Sequence, residues 1–303
     1  MINSIVITNH LNESITFELT SPEKSGFRVL SVDGLGPPKA DIFINAMAGL
    51  DGGIHNSART NTRNIVFTLQ FMPKPSIEHT RQLTYKYFPL KQRIKITTHT
   101  SVKSTYTYGY VETNEPSIFS DKEGCVISVI CPDPNVYNIY PAAAQFGALN
   151  HLFEFPFSNE SVTLPLIEFS EISSEATRYI VYRGEVDVGV VIHIHILDDS
   201  TGVTGIAITD ENSNTIALND AKMEAITGDP LQPADDIWIS TLRGDKYAKL
   251  MRDAVEYDIL NALGEDPEWF VLNQGDNMFA YSADTGVLFV VFKILYELGY
   301  QGV

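Results

Sequence analysis

The stretch RNIVFTLQFMP (63–73) alternates strictly, with Ile65, Phe67 and Leu69 on one face and polar or smaller residues on the other. A period of two over this length predicts a half-buried β-strand. Immediately after it, Pro75-Ser76 predicts a helix over about 76–88. Ser76 is placed to cap it, although His79 stands where a full capping box has Glu or Gln. Ile77, Thr80, Leu83, Thr84 and Tyr87 recur at helical spacing and predict one core-facing stripe.

Outward from this strand-helix step the pattern is nearly all strand. SIVITNH (4–10) and SITFELT (14–20) flank a turn and predict a hairpin, and FRVLSVDG (27–34) predicts a further strand. RIKITTHT (93–100) and STYTYGYVETNEP (104–116) predict a pair, and GCVISVICPD (124–133) closes the unit. The segment 34–62, rich in Gly, Asn and Pro, predicts a long extended loop or hairpin, and loops this long in compact domains usually carry a function. Its length and position make it a candidate arm for strand addition to a neighbour.

Composition changes near residue 140. Residues 1–140 carry 13 Lys/Arg against 12 Asp/Glu, whereas 141–303 carry 8 against 26, a net of −18 out of the total −17. The prolines and small residues of CPDPNVYNIYPAAAQFGALN (131–150) mark a linker, so the expected domains are 1–140 and 141–303. The second reads as strands with Asn/Asp/Gly turns: FEFPFSN (153–159), VTLPLIEF (162–169), YIVYRGEVDVGVVIHIHIL (179–197), GIAITDENSNTIAL (205–218), DDIWISTLRGDKYAKLM (235–251) and three more to residue 298. Short strands at this spacing predict an antiparallel β-sandwich, with helix confined to a turn around 254–263. The fold class is therefore mostly β, with one α-helix in the first domain. An acidic second half of this size repels nucleic acid and anionic membrane surfaces. Neither a basic leader nor a run of the roughly 18 apolar residues that a membrane span needs is present, so membrane insertion and a signal peptide are not expected.

Catalytic and metal motifs are sparse. His193-Ile-His195 places two imidazoles on one strand face, a metal candidate that lacks a third ligand in the sequence; two solvent-face histidines are the plainer reading. The pairs Asp198-Asp199, Asp235-Asp236 and Glu265-Asp266 lie in polar turns, where solvated carboxylates are expected rather than a glycosidase pair. Cys125 and Cys131 share a strand face about 20 Å apart, beyond disulfide reach, and read as buried hydrophobes. Gly34-Leu35-Gly36-Pro37-Pro38 lacks the amide donors of a phosphate loop. Asp51-Gly52-Gly53 and Arg243-Gly244-Asp245 read as turns. Trp238, Trp269, Phe270, Phe279 and Tyr281 are either sandwich core or an aromatic platform for sugar rings, with Trp238 and Trp269 the candidate sugar contacts. No catalytic residue, cofactor site or metal centre is assigned, and no enzyme activity is expected.

Several ordered segments carry a resemblance. They are FRVLSVDGLGPPKADIFINAMAGLDGG (27–53), RNIVFTLQF (63–71), SIEHTRQLTYKYFPLKQRIKI (76–96) and YGYVETNEPSIFSDKEG (108–124) leading into CVISVICPDP (125–134). At the other end WFVLNQGDNMFAYSADTG (269–286) precedes FKILYELGYQGV (292–303). Together they resemble the distal tail protein family of long-tailed phages of Gram-positive hosts, with related prophage and tailocin tail-tip proteins. The extended YELGYQGV finish and the Pro-containing 228–236 loop depart from that pattern. The resemblance implies a hexameric ring formed by the first domain and a galectin-like or jelly-roll sandwich projecting outward. It also implies tail tube, tail-tip and receptor-binding proteins as partners, and no specific binding of the DNA that passes through. The expected location is the distal end of a virion or tailocin tail, after assembly in the host cytoplasm.

Overall fold

A computed structural model of the chain describes residues 1–47, 49, 51–120, 122–146, 149–151, 170–172, 177–197, 202–264 and 267–303. The chain forms two separately packed units, Met1–Tyr140 together with Gly299–Val303, and Pro141–Leu298. The expected second domain, 141–303, thus loses its last five residues. Gly299–Tyr300 pairs with the strand Val136–Asn138 of the first unit, a long-range pairing that no local pattern announces.

The strands of the first unit are β1 (Ile2–Thr8), β2 (Ser14–Glu18), β3 (Phe27–Asp33), β4 (Ala40–Ala46), β5 (Gly53–Thr60), β6 (Arg63–Phe71), β7 (Arg93–Thr100), β8 (Ser104–Ser117), β9 (Gly124–Cys131) and β10 (Val136–Asn138). Helix α1 (Ile77–Tyr87) lies between β6 and β7. Seven strands form one antiparallel sheet in the order β2-β1-β7-β8-β9-β6-β3, with β10 and Gly299–Tyr300 beyond β8. The sheet curls so that its end strands meet: Phe17 of β2 and Phe27 of β3 contact edge to face at 5.4 Å. Inside the curl lie Ile65, Phe67 and Leu69 of β6 with Ile127, Val129 and both cysteines of β9. Each large apolar side chain buried in this way contributes roughly 1.5–3 kcal/mol.

Helix α1 begins where Ser76 accepts a hydrogen bond from the His79 amide at 3.1 Å. Thr80 and Thr84 are fully buried beneath it, their hydroxyls donating to Met72 O at 2.8 Å and Arg81 O at 2.7 Å. Leu83 and Tyr87 pack against the core as the spacing predicts, whereas Ile77, the first residue of the helix, stays exposed. Phe88, just past the helix, stacks on Phe17 and tilts against Phe67.

The second unit contains β11 (Ala142–Phe146), β12 (Leu149–His151), β13 (Ser170–Ile172), β14 (Thr177–Tyr182), β15 (Val188–Gly189), β16 (Val191–Ile196), β17 (Ala207–Asp210), β18 (Thr215–Ala217), β19 (Asp236–Ser240), β20 (Tyr247–Arg252), β21 (Val255–Asp258), β22 (Val271–Leu272), β23 (Gly275–Ser282) and β24 (Val290–Tyr296). One antiparallel sheet runs β11-β24-β16-β19-β20-β21 and another β14-β23-β17-β18, with β12-β13 and β15-β22 as short pairs. The two larger sheets share a core. Ile192, Ile194, Ile237, Ile239 and Leu250 face in from the first, and Ile208, Ile216 and Phe279 from the second. Tyr281 of β23 meets Phe292 of β24 across it at 4.2 Å. The expected antiparallel sandwich is present. The strands expected at 153–159 and 162–169 lie outside the described residues.

Two local expectations fail. The run 179–197 is three strands rather than one, because Arg183 to Asp187 turn the chain. Helix forms at α2 (Asp220–Thr227), while 254–263 holds β21 and a single 3-10 turn. Asn219 caps α2 by accepting from the Lys222 amide, and Gly228 ends it in the left-handed region at φ 87°. Those two signals are legible in the sequence.

Candidate interaction surfaces

The segment 34–62 leaves the first unit through Gly34, whose φ of 84° and close approach to Asn64 demand glycine: a Cβ there would lie 2.0 Å from the Asn64 carbonyl oxygen. Pro37 and Pro38 keep the exit extended, and β4 then pairs only with β5 among the described residues. The chain turns back between them through Gly49 and Gly52, both at positive φ. An isolated two-stranded ribbon is marginal in water. This one also displays Ile42, Phe43, Ile44, Met47 and Ile54 to solvent, with Ile42 and Ile44 each 62% exposed. Its polar ties are slight: Arg59 lies over the Phe43 ring at 5.8 Å and faces Asp41 at 3.5 Å. Contiguous exposed apolar side chains on an extended ribbon have the chemistry of an interface.

In the second unit the outward face of the six-stranded sheet gathers three of the four residues singled out from the sequence. Register places Lys293, His193, Trp238 and Lys249 in one row across β24, β16, β19 and β20. The adjacent row holds Val291, His195, Asp236 and Met251. His193 Nε2 and His195 Nδ1 both reach the same atom, Asp236 Oδ1, at 2.6 and 2.9 Å. The His193 ring stacks on the Trp238 indole at 4.0 Å and 12°. Burial pushes the Asp236 carboxyl up, but the hydrogen bonds from His193 and His195 outweigh it and hold the group below its ordinary value. Among the described residues no group of three or more His, Cys, Asp or Glu is disposed to hold a metal ion. Asp236 is the member that sequence reasoning missed. Only strand register reveals it, since it sits more than forty positions from either histidine.

Trp269 lies elsewhere, outside the strands, with Lys246 Nζ 4.7 Å above its ring. Phe270, Phe279 and Tyr281 are core. The acidic pairs also separate. Asp235 is no solvated turn residue: it is wholly buried and bound bidentate by Arg252, Nε at 2.8 Å and Nη2 at 2.6 Å. The Asp198-Asp199 and Glu265-Asp266 pairs lie outside the described residues. Arg243-Gly244-Asp245 is a turn, with Gly244 at φ 79° and the Asp245 amide donating to Leu242 O. Cys125 and Cys131 are free and buried. Burial pushes their thiols up to about 12 and about 11, which leaves little thiolate for chemistry.

No family model matches the chain, and no curated protein matches it in sequence. Solved structures do. The chain is similar to the Dit protein of phage SPP1, described as a paradigm of the hub adsorption apparatus in Gram-positive infecting phages. The identity is 12%, the TM-score 0.65, and the match covers 97% of this chain and 98% of that one. It is also similar to a chain of the phage P2 baseplate in its activated conformation with calcium, at 12% identity and TM-score 0.53 over 98% of both chains. A further match is a chain of the phage p2 baseplate with strontium, at 11% identity and TM-score 0.51, covering 96% and 97%. At such identities the likeness is one of fold, and it runs through both units.

Proposed function

We propose that the chain is a structural component of a phage tail tip, a hub whose first unit closes into a ring of six copies. The ring joins the tail tube on one side to tip and receptor-binding proteins on the other, in a virion or a tailocin. One observation carries the reading: the apolar ribbon of 34–62, whose strands pair with no third strand among the described residues, mounted on a fold shared end to end with hub and baseplate chains. A ribbon with open edges and exposed Ile and Phe side chains gains by pairing with a neighbouring copy. A contact of one copy's arm with a different surface of the next is heterologous, and repeated it closes a ring. The near-neutral first unit suits a conduit that DNA traverses without being held. This role requires no catalytic centre.

Purified protein analysed by native mass spectrometry and electron microscopy should show closed rings. A strictly monomeric species at high concentration, and its absence from tail particles, would overturn the assignment.

A second reading draws on the row of His193, Trp238 and Asp236. A partly buried indole beside hydrogen-bonding imidazole and carboxylate groups has the chemistry that stacks and orients a sugar ring. Calorimetry with host cell-wall glycans tests it: binding lost in Trp238→Ala but kept in Trp269→Ala supports a site at this row, and no binding by the wild type removes it.

A further inference from the structure

Arg63 opens β6 at the point where the returning arm rejoins the sheet, and its side chain is only 2% exposed. Among the described residues no carboxylate pairs with it. The guanidinium instead donates to four backbone carbonyls on three separate segments. Nε binds Pro134 O at 2.8 Å, Nη1 binds Gly34 O at 2.8 Å and Gly36 O at 2.9 Å, and Nη2 binds Gln301 O. Gly34 and Gly36 belong to the outgoing root of the arm, and Gln301 to the short segment that follows the second unit. One planar fork thus ties that segment to the arm. Lysine, a point donor on a flexible stem, cannot reproduce it.

The same segment touches the arm root directly. The Val303 amide donates to Leu35 O at 3.1 Å. Gly302 packs so tightly that an added Cβ would stand 3.2 Å from Gly36 C, Leu35 O and Pro37 N. From the other side Lys103 Nζ donates to Gly302 O at 3.0 Å and sits 3.8 Å above the Tyr300 ring. Residues 299–303 are therefore held between β10, Lys103 and the exit of the arm, with Arg63 bridging beneath.

We infer that Gly299–Val303 is a strap which, through Arg63, fixes the direction in which the 34–62 arm leaves the first unit. Beyond its root, the backbone hydrogen bonds of the arm among the described residues join its own two limbs, β4 to β5 and Asn61 to Lys39, so they set its shape and not its aim. The aim is set where the arm is rooted: two of the Arg63 contacts, to Gly34 O and Gly36 O, hold the root itself, and a third, to Gln301 O, ties it to the strap. Arg63 is a positioning residue on this account. The consequence for assembly rests on the proposed ring: an arm that is held in one direction meets the neighbouring copy without the entropic cost of being ordered first.

The test is a distance measurement by pulsed electron resonance, with spin labels at Ser57→Cys on the arm and Thr16→Cys on β2, both exposed. The buried native thiols leave these two sites to take the label. In dilute, monomeric protein the wild type should give one narrow distance distribution. Gly302→Val, which pushes the strap off the root, and Lys103→Met, which unties its far side, should each broaden it at least twofold, while circular dichroism and the melting of the first unit stay near wild type. Arg63→Lys should broaden it as well, although charge is kept. A width unchanged in both strap variants, or a wild-type width already as broad as theirs, overturns the strap. Sedimentation of the same proteins judges the ring separately: a wild type that never assembles defeats the assembly reading, and the distances still decide the strap.

Discussion

At Asp235 and Asp236 two neighbouring carboxylates at the start of β19 have opposite circumstances. Asp235 is sealed from water and meets Arg252 in a two-point pair, while its Oδ2 also accepts the Gln232 amide at 2.8 Å. This arrangement anchors the 228–236 loop, the Pro-containing stretch that departs from the tail-protein pattern. Asp235→Ala leaves the Arg252 charge, its side chain only 10% exposed, without its carboxylate partner, a change that typically costs about 3–5 kcal/mol. Chemical denaturation should show a loss of that size, against a small effect for an exposed control such as Glu268→Ala. Asp236 is different, one-third exposed and shared by two histidines. Its folded pKa lies below the ordinary value, so its stabilisation is present above about pH 4 and is lost as the pH falls through the folded value. Asp236→Asn should therefore cost about 1 kcal/mol at pH 7, at the low end because water reaches the site. In urea titrations the gap to wild type should close as the pH drops from about 4 towards 2; a gap that stays constant across that range would refute the account. Neither role was legible from Asp235-Asp236 as letters, because alternation along β19 turns one carboxylate inward and its neighbour outward, and the partners come from β16 and β20.

At the level of elements, the arm is the piece whose chemistry and packing disagree most. Ile42, Phe43 and Ile44 make no core, so removing them should cost the fold little, within about 0.5 kcal/mol for exposed positions. If they form the contact between copies, Ile44→Asp should leave the melting temperature of dilute protein unchanged and shift sedimentation from rings to monomers. A variant that still assembles at wild-type concentrations would exclude the arm as the joining element. The sequence identified this segment as extended and functional through its length and its Gly, Asn and Pro content, but not the apolar display, which shows only once no described residue is found to cover it. Elsewhere the legible elements are those with strict local period: β6 with Ile65, Phe67 and Leu69 inward, and α1 with its Ser76 cap. The misread ones depend on distant partners or weak amphipathicity. Helix α2 buries only Met223, so no stripe marked it. The strand Gly299–Tyr300 exists because β10 and Lys103 receive it, and Tyr300 stands 164 residues along the chain from its partner Val136.

For the whole molecule the uneven charge becomes a force on assembly. Residues 141–303 carry a net −18, so copies gathered in the proposed ring would bring like-charged units close together. Repulsion of that kind acts over the Debye length, about 10 Å at 0.1 M salt and about 3 Å at 1 M. The contact proposed to oppose it, through Ile42, Phe43, Ile44 and Ile54 of the arm, is apolar, and salt does not weaken burial of that sort. The two terms have different salt dependences, and their difference has a sign. Raising sodium chloride from about 0.05 M to about 0.5 M should therefore favour the ring, lowering the concentration at which half the chains are assembled. An assembly held by ion pairs would respond in the opposite direction, since screening weakens attraction as readily as repulsion. Sedimentation velocity across a dilution series at the two salt concentrations distinguishes them. Charge reversal on the second unit gives the internal control: exchanging exposed acidic residues there, such as Glu211→Lys with Glu268→Lys, should tighten assembly at low salt and flatten the salt response, with the arm untouched. If assembly weakens with salt in the wild type, the apolar arm is not what joins the copies, and the interface must be sought among the charged surfaces of the first unit instead.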